Sequence, residues 1–254
     1  MIEHPQWLPK EGQDELRPFF RSGEDKGRIY RIVPVGKQPR SVPRFDELNT
    51  TQLVAVMESS NAWQRDMAQR LLVAKKDPAA VGLLEKMASS GTTPQARLQA
   101  LCTLEGLGAL TPGVLVPALK DLHPGVRSIA VRLSSGCRID TENLEALTSD
   151  PDAKVRLQLA FTLGDYTGPA AGRALARLAI ENVNETFIQA AVMSSLSSHT
   201  LPAVLSAIVE VQRHVAERHP SDQAVAKFFG QAAAIEEASR RSWVVQQLCP
   251  VASR

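Results

Sequence analysis

The sequence has few of the residues that build metal centres and disulfide frameworks. Three cysteines occur in 254 residues, and they stand 35 and 112 positions apart at Cys102, Cys137 and Cys249. This spacing fits neither a zinc motif nor a disulfide framework, so we expect small buried side chains. The two nearest histidines, His214 and His219, would point to different faces of a helix. With no C-x-x-C-H haem motif either, we predict that this chain holds no metal and no cofactor.

Long hydrophobic runs and an excess of charge of one sign are also absent. No segment reaches about 18 consecutive apolar residues, the length needed for a membrane-spanning helix. The N-terminus MIEHPQWLPKEG lacks a basic region followed by an apolar one, so no signal peptide is predicted. Lysine and arginine together number 29 against 27 aspartate and glutamate, and the two signs are interspersed. The composition therefore predicts a soluble chain with neither membrane insertion nor a nucleic-acid partner.

Residues 1–47 form a proline-rich leader without helical periodicity. One stretch in it, GRIYRIVPVG at 27–36, alternates in the pattern of a β-strand with apolar groups on both faces. A single strand needs partner strands or a packed helix, and no partner strand is visible in the sequence. We predict a mostly irregular leader with one short strand.

From residue 48 onward the sequence repeats with a period of about 30 residues. Four segments align without gaps: WQRDMAQRLL (63–72), QARLQALCTL (95–104), GVRSIAVRLS (125–134) and KVRLQLAFTL (154–163). Each has an arginine in the same column, and the spacings are 32, 30 and 29 residues between Arg65, Arg97, Arg127 and Arg156. A degenerate fifth copy, ETFIQAAVMSSL at 185–196, lacks the arginine. Such a period is typical of stacked helical pairs.

Start signals divide each repeat into helices. Polar residues precede four prolines in N-cap and N1 positions, and two asparagines cap without proline: Asp77, Thr93, Thr111, His123, Asn49 and Asn61. Apolar residues recur at i, i+4 and i+8 on the second helices, as at Val155, Leu159 and Leu163 and at Trp63, Met67 and Leu71. At a matching position, small side chains allow close helix packing: Ala68, Ala100 and Ala130.

These patterns predict an all-α fold. We expect an α-solenoid of about five helical hairpins over residues 48–200, because each pair is too small to bury its apolar stripe alone. The leader, residues 1–47, precedes it. A C-terminal region, residues 201–254, follows with two longer capping helices near 201–218 and 221–248.

The repeats carry a resemblance to known families. The frames, with the P-x-V-R and A-x-V-R openings at 124–127 and 153–156, resemble HEAT repeats over about residues 49–200. The segments IEHPQWLP (2–9), EDKGRIYRIVP (24–34), SSNAWQRDMAQRLL (59–72) and ARLQALCTLEGLGAL (96–110) are together similar to part of the planctomycete-type membrane-bound dehydrogenase-like proteins. That part is the junction where a β-propeller runs into a HEAT array.

This resemblance implies a context for the chain. The lone strand would be the closing strand of a propeller whose other blades are absent, so the chain would be a C-terminal fragment of a longer protein. The family's haem module and the quinone or calcium site of its propeller have no counterpart in this sequence, so no dehydrogenase residue can be assigned. The resemblance also implies that the parent protein is exported to the periplasm or cell envelope.

The four aligned arginines have two interpretations. Regularly spaced guanidinium groups can clamp the phosphates or carboxylates of a ligand. Alternatively, as the resemblance to HEAT repeats implies, each arginine of this structural ladder bonds to acids of a neighbouring repeat, with Asp121, Asp150 and Asp152 nearby. We favour the structural interpretation. Guanidinium groups that face solvent without carboxylate partners would contradict it.

Three functions remain compatible with these observations. The first is a non-catalytic scaffold that binds proteins, because no catalytic constellation is visible. The second is an arm of an oxidoreductase that docks a quinoprotein-like dehydrogenase domain to a cytochrome or substrate. The third is a HEAT-type enzyme such as an alkylpurine DNA glycosylase or a bilin lyase, which no basic stripe or motif supports. We predict the first, with a propeller or cytochrome domain as the partner class, and the second as its family context.

Overall fold

The structure, a computed structural model, describes residues 8–16, 27, 32–38, 43–197 and 199–216. Contacts divide the chain into two compact units, Met1–Arg44 and Phe45–Arg254. In the first unit the described residues include one short helix, α1 (Lys10–Leu16). The side-chain amide of Gln13 on this helix donates to the carbonyl of Leu8 at 2.7 Å.

The predicted strand at residues 27–36 lies in the first unit. Residues 28–31 are outside the described residues, and residues 27 and 32–38 form no strand. Instead, the backbone N–H of Lys37 donates to the carbonyl of Pro34 at 3.1 Å and closes a turn. The described part of the segment is therefore irregular.

The second unit consists of helices and short connections wherever it is described, which confirms the predicted all-α class. Its helices are α2 (Thr50–Val56), α3 (Ala62–Lys75), α4 (Ala79–Ser90), α5 (Pro94–Gly106), α6 (Pro112–Ala118), α7 (Pro124–Cys137), α8 (Thr141–Glu145), α9 (Ala153–Leu163), α10 (Pro169–Glu181), α11 (Thr186–Ser194) and α12 (Leu201–Ala216). Two 3-10 turns accompany them, Phe45–Glu47 and Ala146–Ser149.

The helices of this unit pack in two layers. In one layer α3, α5, α7, α9 and α11 each contact the next. In the other layer α4 contacts α2 and α6, and α10 contacts α8 and α12. Sequential helices pair across the layers, α2 with α3, α4 with α5, α6 with α7, the 3-10 turn after α8 with α9, and α10 with α11. This pairing is solenoid-like, because each pair buries its apolar side against its neighbours.

Side-chain caps start helices at predicted residues. Asn49 and Gln52 form a capping box, in which each side chain accepts from the other's backbone N–H at 2.9 Å. The hydroxyl of Thr93 accepts from the N–H of Ala96 at 3.1 Å. His123 caps α7 with its Nδ1 atom. These bonds satisfy N–H groups that have no partner within the helix.

The helices that carry the aligned arginines, α3, α5, α7 and α9, bury their apolar residues at matching positions relative to the arginine. The stripe predicted on α9 and the alanines predicted at close approaches have no exposed surface: Val155, Leu159, Leu163, Ala68, Ala100 and Ala130. Small side chains at these points let the layer pack tightly.

The stripe predicted on α3 is wrong by one position. Ala68 and Leu72 are fully buried, whereas Trp63 is 50 % exposed. Met67 and Leu71 are only partly buried. The prediction followed the bulkiest apolar side chains, but the packing follows the column in which alanine recurs, because that column faces the neighbouring helices.

Phe45 marks the start of the helical unit. Its side chain is 6 % exposed, and its ring meets Trp63 edge to face with ring centroids 5.5 Å apart. The ammonium group of Lys75 donates to the carbonyl of Leu48 at 2.8 Å. At the other end α12 packs on α10, and the second predicted capping helix, near 221–248, lies outside the described residues.

Deleting residues 1–44 is expected to change the free energy of unfolding of the helical unit by less than about 0.5 kcal/mol, because solenoid contacts run between adjacent repeats. In the full chain, Phe45→Ala is expected to lower it by about 1.5 kcal/mol, because a buried ring is lost. Urea unfolding followed by far-ultraviolet circular dichroism measures both. A loss on deletion as large as that of Phe45→Ala would show that residues 1–44 stabilise the helices.

Candidate functional site: the arginine ladder

The four aligned arginines occupy the same place in their helices. Each backbone N–H bonds the carbonyl of the N-cap residue four positions earlier, at 3.2 to 3.3 Å, in the pairs Arg65–Asn61, Arg97–Thr93, Arg127–His123 and Arg156–Asp152. The N-cap fixes the first turn, and a helical side chain leans towards the helix N-terminus. Each guanidinium group is therefore carried back to the loop that precedes its own helix.

In that loop every guanidinium group binds the same backbone group. Its Nη1 donates to the carbonyl of the residue six positions earlier, at distances of 2.8, 2.9, 2.8 and 2.6 Å for Ser59, Gly91, Asp121 and Asp150 in chain order. Charged donors make stronger hydrogen bonds than neutral ones, so these bonds hold the loop against the helix.

Two of the arginines also bind a carboxylate of the following repeat. Nε and Nη2 of Arg97 lie 2.6 and 2.8 Å from the two oxygens of Asp121. Arg127 binds Asp150 in the same two-point manner at 2.7 and 2.8 Å. The side chains of Arg127 and Asp150 are only 12 % and 3 % exposed. The structure thus places these guanidinium groups in buried ion pairs between repeats.

The remaining partner residues were not predicted from the sequence. Nε of Arg156 donates to the side-chain oxygen of Asn182 at 2.8 Å, so this pair has a neutral acceptor. In the fifth repeat Gln189 takes the arginine's place, since its N–H bonds the carbonyl of Glu185, four positions earlier. Its side-chain amide donates to the carbonyls of Asn182 at 3.0 Å and Ala179 at 2.7 Å. The sequence does not reveal this equivalence, because Gln189 follows its acceptor Asn182 by seven residues, whereas each arginine follows its acceptor by six.

Arg65 differs from the other three. The residue that corresponds to Asp121 and Asp150 in the next repeat is Gly91, which has no side chain to offer. Nε of Arg65 is buried and has no hydrogen-bond partner among the described residues. Its only ladder bond is the one to the carbonyl of Ser59.

The two carboxyl groups of the ladder have lowered pKa values. The hydrogen bond from Arg97 is the main cause for Asp121, and the same bond raises the pKa of Arg97. For Asp150, burial is the largest influence and by itself raises the pKa. The hydrogen bonds from Arg127 and from the backbone N–H of Asp152 outweigh it, so the pKa of Asp150 is lowered. Both pairs are therefore ionic at neutral pH.

Lowering the pH is expected to remove the contribution of the Arg97–Asp121 pair to stability. The folded-state pKa of Asp121 lies below its ordinary value of 3.8, so the contribution is complete above that value and is lost as the pH falls through the lowered pKa. Urea unfolding of wild type and Asp121→Asn from about pH 7 to about pH 3 should show their difference in free energy of unfolding shrinking. A constant difference would contradict the ionic pair. Asn182 already serves as such an acceptor, so the variant is expected to fold.

A cleft of about 510 Å³ lies beside the Arg97–Asp121 pair, between α4 and α6. Its lining includes charged, polar and apolar side chains: Glu85, Ser89, Arg97, Val114, Pro117 and Asp121. The guanidinium group in its wall already binds a carboxylate, so it is not available to an anionic ligand.

The two cysteines in the described part of the chain are not activated thiols. Cys102 lies beside Arg132, whose Nη2 is 3.8 Å from the sulfur, yet burial raises the pKa of the thiol. Burial also raises the pKa of Cys137, and both cysteines are free thiols. A thiol that stays protonated is not an activated nucleophile. Cys249 lies outside the described residues.

The described residues contain neither a cluster of metal ligands nor a membrane-spanning helix. Within the described residues, no group of three or more histidine, cysteine, aspartate or glutamate side chains could hold a metal ion. None of the helices described is long and apolar enough to cross a membrane.

Comparison with known proteins finds neither a protein-family model nor a curated protein that matches this chain. The geometry of the ladder and of the exposed surface therefore carries the functional conclusion.

Proposed function

We propose that the chain is a non-catalytic scaffold whose stacked helices hold other proteins. The observation that most supports this is that the recurring arginines bind groups of the chain itself. Arg97 and Arg127 bind carboxylates of the next repeat, and Arg156 binds Asn182. These groups hold repeats together, and the surface outside the ladder remains for partners.

Two aromatic side chains on neighbouring helices favour protein contact on this surface. Phe161 on α9 is 50 % exposed, and Phe187 on α11 is 79 % exposed. Aromatic residues are enriched in protein interfaces and supply a large share of binding energy there. We therefore assign the face that carries these two residues to partner binding.

The test compares the wild-type chain with Phe161→Glu/Phe187→Glu. A protein captured by the wild type is purified and its Kd for the pure chain is measured directly. The double variant is expected to bind at least about tenfold more weakly, because buried aromatic contacts carry much of the affinity. The matched control is Ala79→Glu/Gly82→Glu, which adds the same charge at exposed positions on α4, a helix of the other layer. Equal weakening in the control, or no direct binding by any purified partner, would contradict the proposal.

The resemblance described above indicates which partner class to test first. A HEAT-like arm in that family would dock a propeller dehydrogenase domain or a cytochrome. Direct binding between the purified chain and such a domain, lost in Phe161→Glu/Phe187→Glu, would support this family context. A chain that binds other proteins but no such domain would support the scaffold without it.

A further inference from the structure

Each arginine of the ladder, together with the groups that its guanidinium group binds, forms one rung. The first rung, at Arg65, lacks the carboxylate that completes the second and third rungs, at Arg97 and Arg127. In those rungs the Nε–Nη2 edge of the guanidinium group binds both oxygens of an aspartate. At Arg65 the corresponding residue is Gly91, and the buried Nε has no partner in the described part of the chain. A buried N–H without an acceptor is costly, and a carboxylate is the acceptor that a guanidinium edge fits best.

The backbone at this position has the conformation that it has at Asp150, in the third rung. Gly91 has φ −56° and ψ 138°, and Asp150 has φ −58° and ψ 135°. The loop therefore follows the same course, and the difference lies in the missing side chain. A Cβ on residue 91 would lie 2.7 Å from the carbonyl oxygen of Met87, so an aspartate could replace Gly91 only if that carbonyl moved. A carboxylate group from outside the chain needs no Cβ at residue 91 and does not meet this clash.

Two carboxylates of the first repeats are bound elsewhere. Glu58 accepts from the backbone N–H of Thr92 at 3.0 Å and from its hydroxyl. Asp66 accepts from the side-chain amide of Gln99 at 3.1 Å. Neither forms an ion pair with Arg65. A Cβ on residue 91 would also lie 3.1 Å from Cγ of Arg97 and 3.3 Å from Cγ of Met87, so two flexible side chains border the loop at this point. Methionine is flexible, so the Met87 side chain can move away from this point without a shift of the backbone.

We propose that Arg65 is the receptor for a carboxylate group that comes from outside the chain, bound in the vacant position of the first rung. The group is a monocarboxylate that reaches the Nε–Nη2 edge between α3 and the loop at Gly91. It belongs either to a small organic acid or to an aspartate or glutamate side chain of a bound peptide. In both cases it completes the same two-point contact that Asp121 and Asp150 make in the later rungs.

Sodium formate is the probe, compared with sodium chloride at equal ionic strength. Formate is expected to raise the thermal midpoint of the wild-type chain with saturation, and Arg65→Met is expected to abolish that rise. Arg65→Lys should weaken formate binding by about tenfold, because an ammonium group cannot make two parallel N–H···O bonds. Met87→Ala should bind formate more tightly, because it leaves more space beside Gly91.

Asp121→Ala provides a matched positive control. It creates a second vacant position, at Arg97, so formate should partly restore its lost stability. Restoration of Asp121→Ala without a saturable effect on the wild-type chain would overturn the proposal. So would an equal effect on wild type and Arg65→Met, since that is the behaviour of an adventitious ion only. If Arg65→Met does not fold, Arg65→Lys and Met87→Ala decide the matter by the opposite directions of their effects.

A second arm separates the two sources. N-acetyl-aspartate amide mimics an aspartate within a peptide and is titrated under the same conditions. Saturation by both compounds supports an acidic side chain as the occupant, and saturation by formate alone supports a small organic acid. The scaffold function does not enter this test, so either proposal can fail while the other stands.

Discussion

Replacing Asp150 by alanine is expected to lower the free energy of unfolding by about 3 kcal/mol, because breaking a buried ion pair leaves an uncompensated charge. Asp150 accepts from Nε and Nη2 of Arg127 and from the N–H of Asp152. The variant keeps Arg127 in place, with its bond to the carbonyl of Asp121. The guanidinium edge that faced the carboxylate would then be buried without an acceptor.

Urea unfolding at neutral pH measures this loss, and two variants frame it. Asp150→Asn keeps one acceptor, as Asn182 does for Arg156, and should lose less. Glu105→Ala removes the partner of an exposed ion pair, since Arg132 and Glu105 are 46 % and 52 % exposed and 4.0 Å apart. This control should cost less than about 0.5 kcal/mol. Equal losses for Asp150→Ala and Glu105→Ala would show that the ladder does not stabilise the fold.

Replacing Gly172 by alanine is expected to lower the free energy of unfolding by about 2 kcal/mol. Overpacking costs up to about 3 kcal/mol. The higher helix propensity of alanine offsets only about 1 kcal/mol of this cost. A Cβ at this position would lie 2.6 Å from the Cβ of Ala203 and 2.8 Å from the carbonyl oxygen of Thr200. Both belong to the start of α12 or the residue before it, so α12 would have to move away from α10.

The same substitution at Gly82 serves as the control. A Cβ there meets nothing within 4 Å, and the residue is exposed on α4. Gly82→Ala should therefore raise stability by up to about 1 kcal/mol through helix propensity alone. If α12 lies too close to α10 for a side chain at residue 172, urea unfolding of the two variants should give changes of opposite sign in the free energy of unfolding. Stabilisation by both would contradict the close approach of these helices.

Much of the fold could be predicted from the sequence, because local signals and tertiary packing agree. Asn49 and Thr93 are N-caps in the sequence and cap their helices in the structure. The face of α3 could not be predicted, since the large side chains of Trp63 and Met67 outweigh Ala68 in any hydrophobic pattern.

The arginines of the ladder could be predicted from the sequence, but not all of their partners. The arginine column stands out, but its partners are identified by the residue six positions before each arginine, where serine, glycine and two aspartates occur. Reading that column would have shown that Gly91 offers no carboxylate to Arg65. It would not have shown Gln189, whose spacing to Asn182 is seven residues and whose amide replaces a guanidinium group.

Asp121 and Asp150 each serve two arginines, binding one through the carboxylate and the next through the backbone carbonyl. A residue inserted or deleted between one of these aspartates and the arginine six positions later would therefore disturb both contacts of that aspartate at once. The six-residue distance is constant in four repeats although the period varies from 29 to 32. Insertions and deletions during evolution are therefore expected to accumulate between each arginine and the next repeat's acceptor, where a change of length leaves both contacts intact.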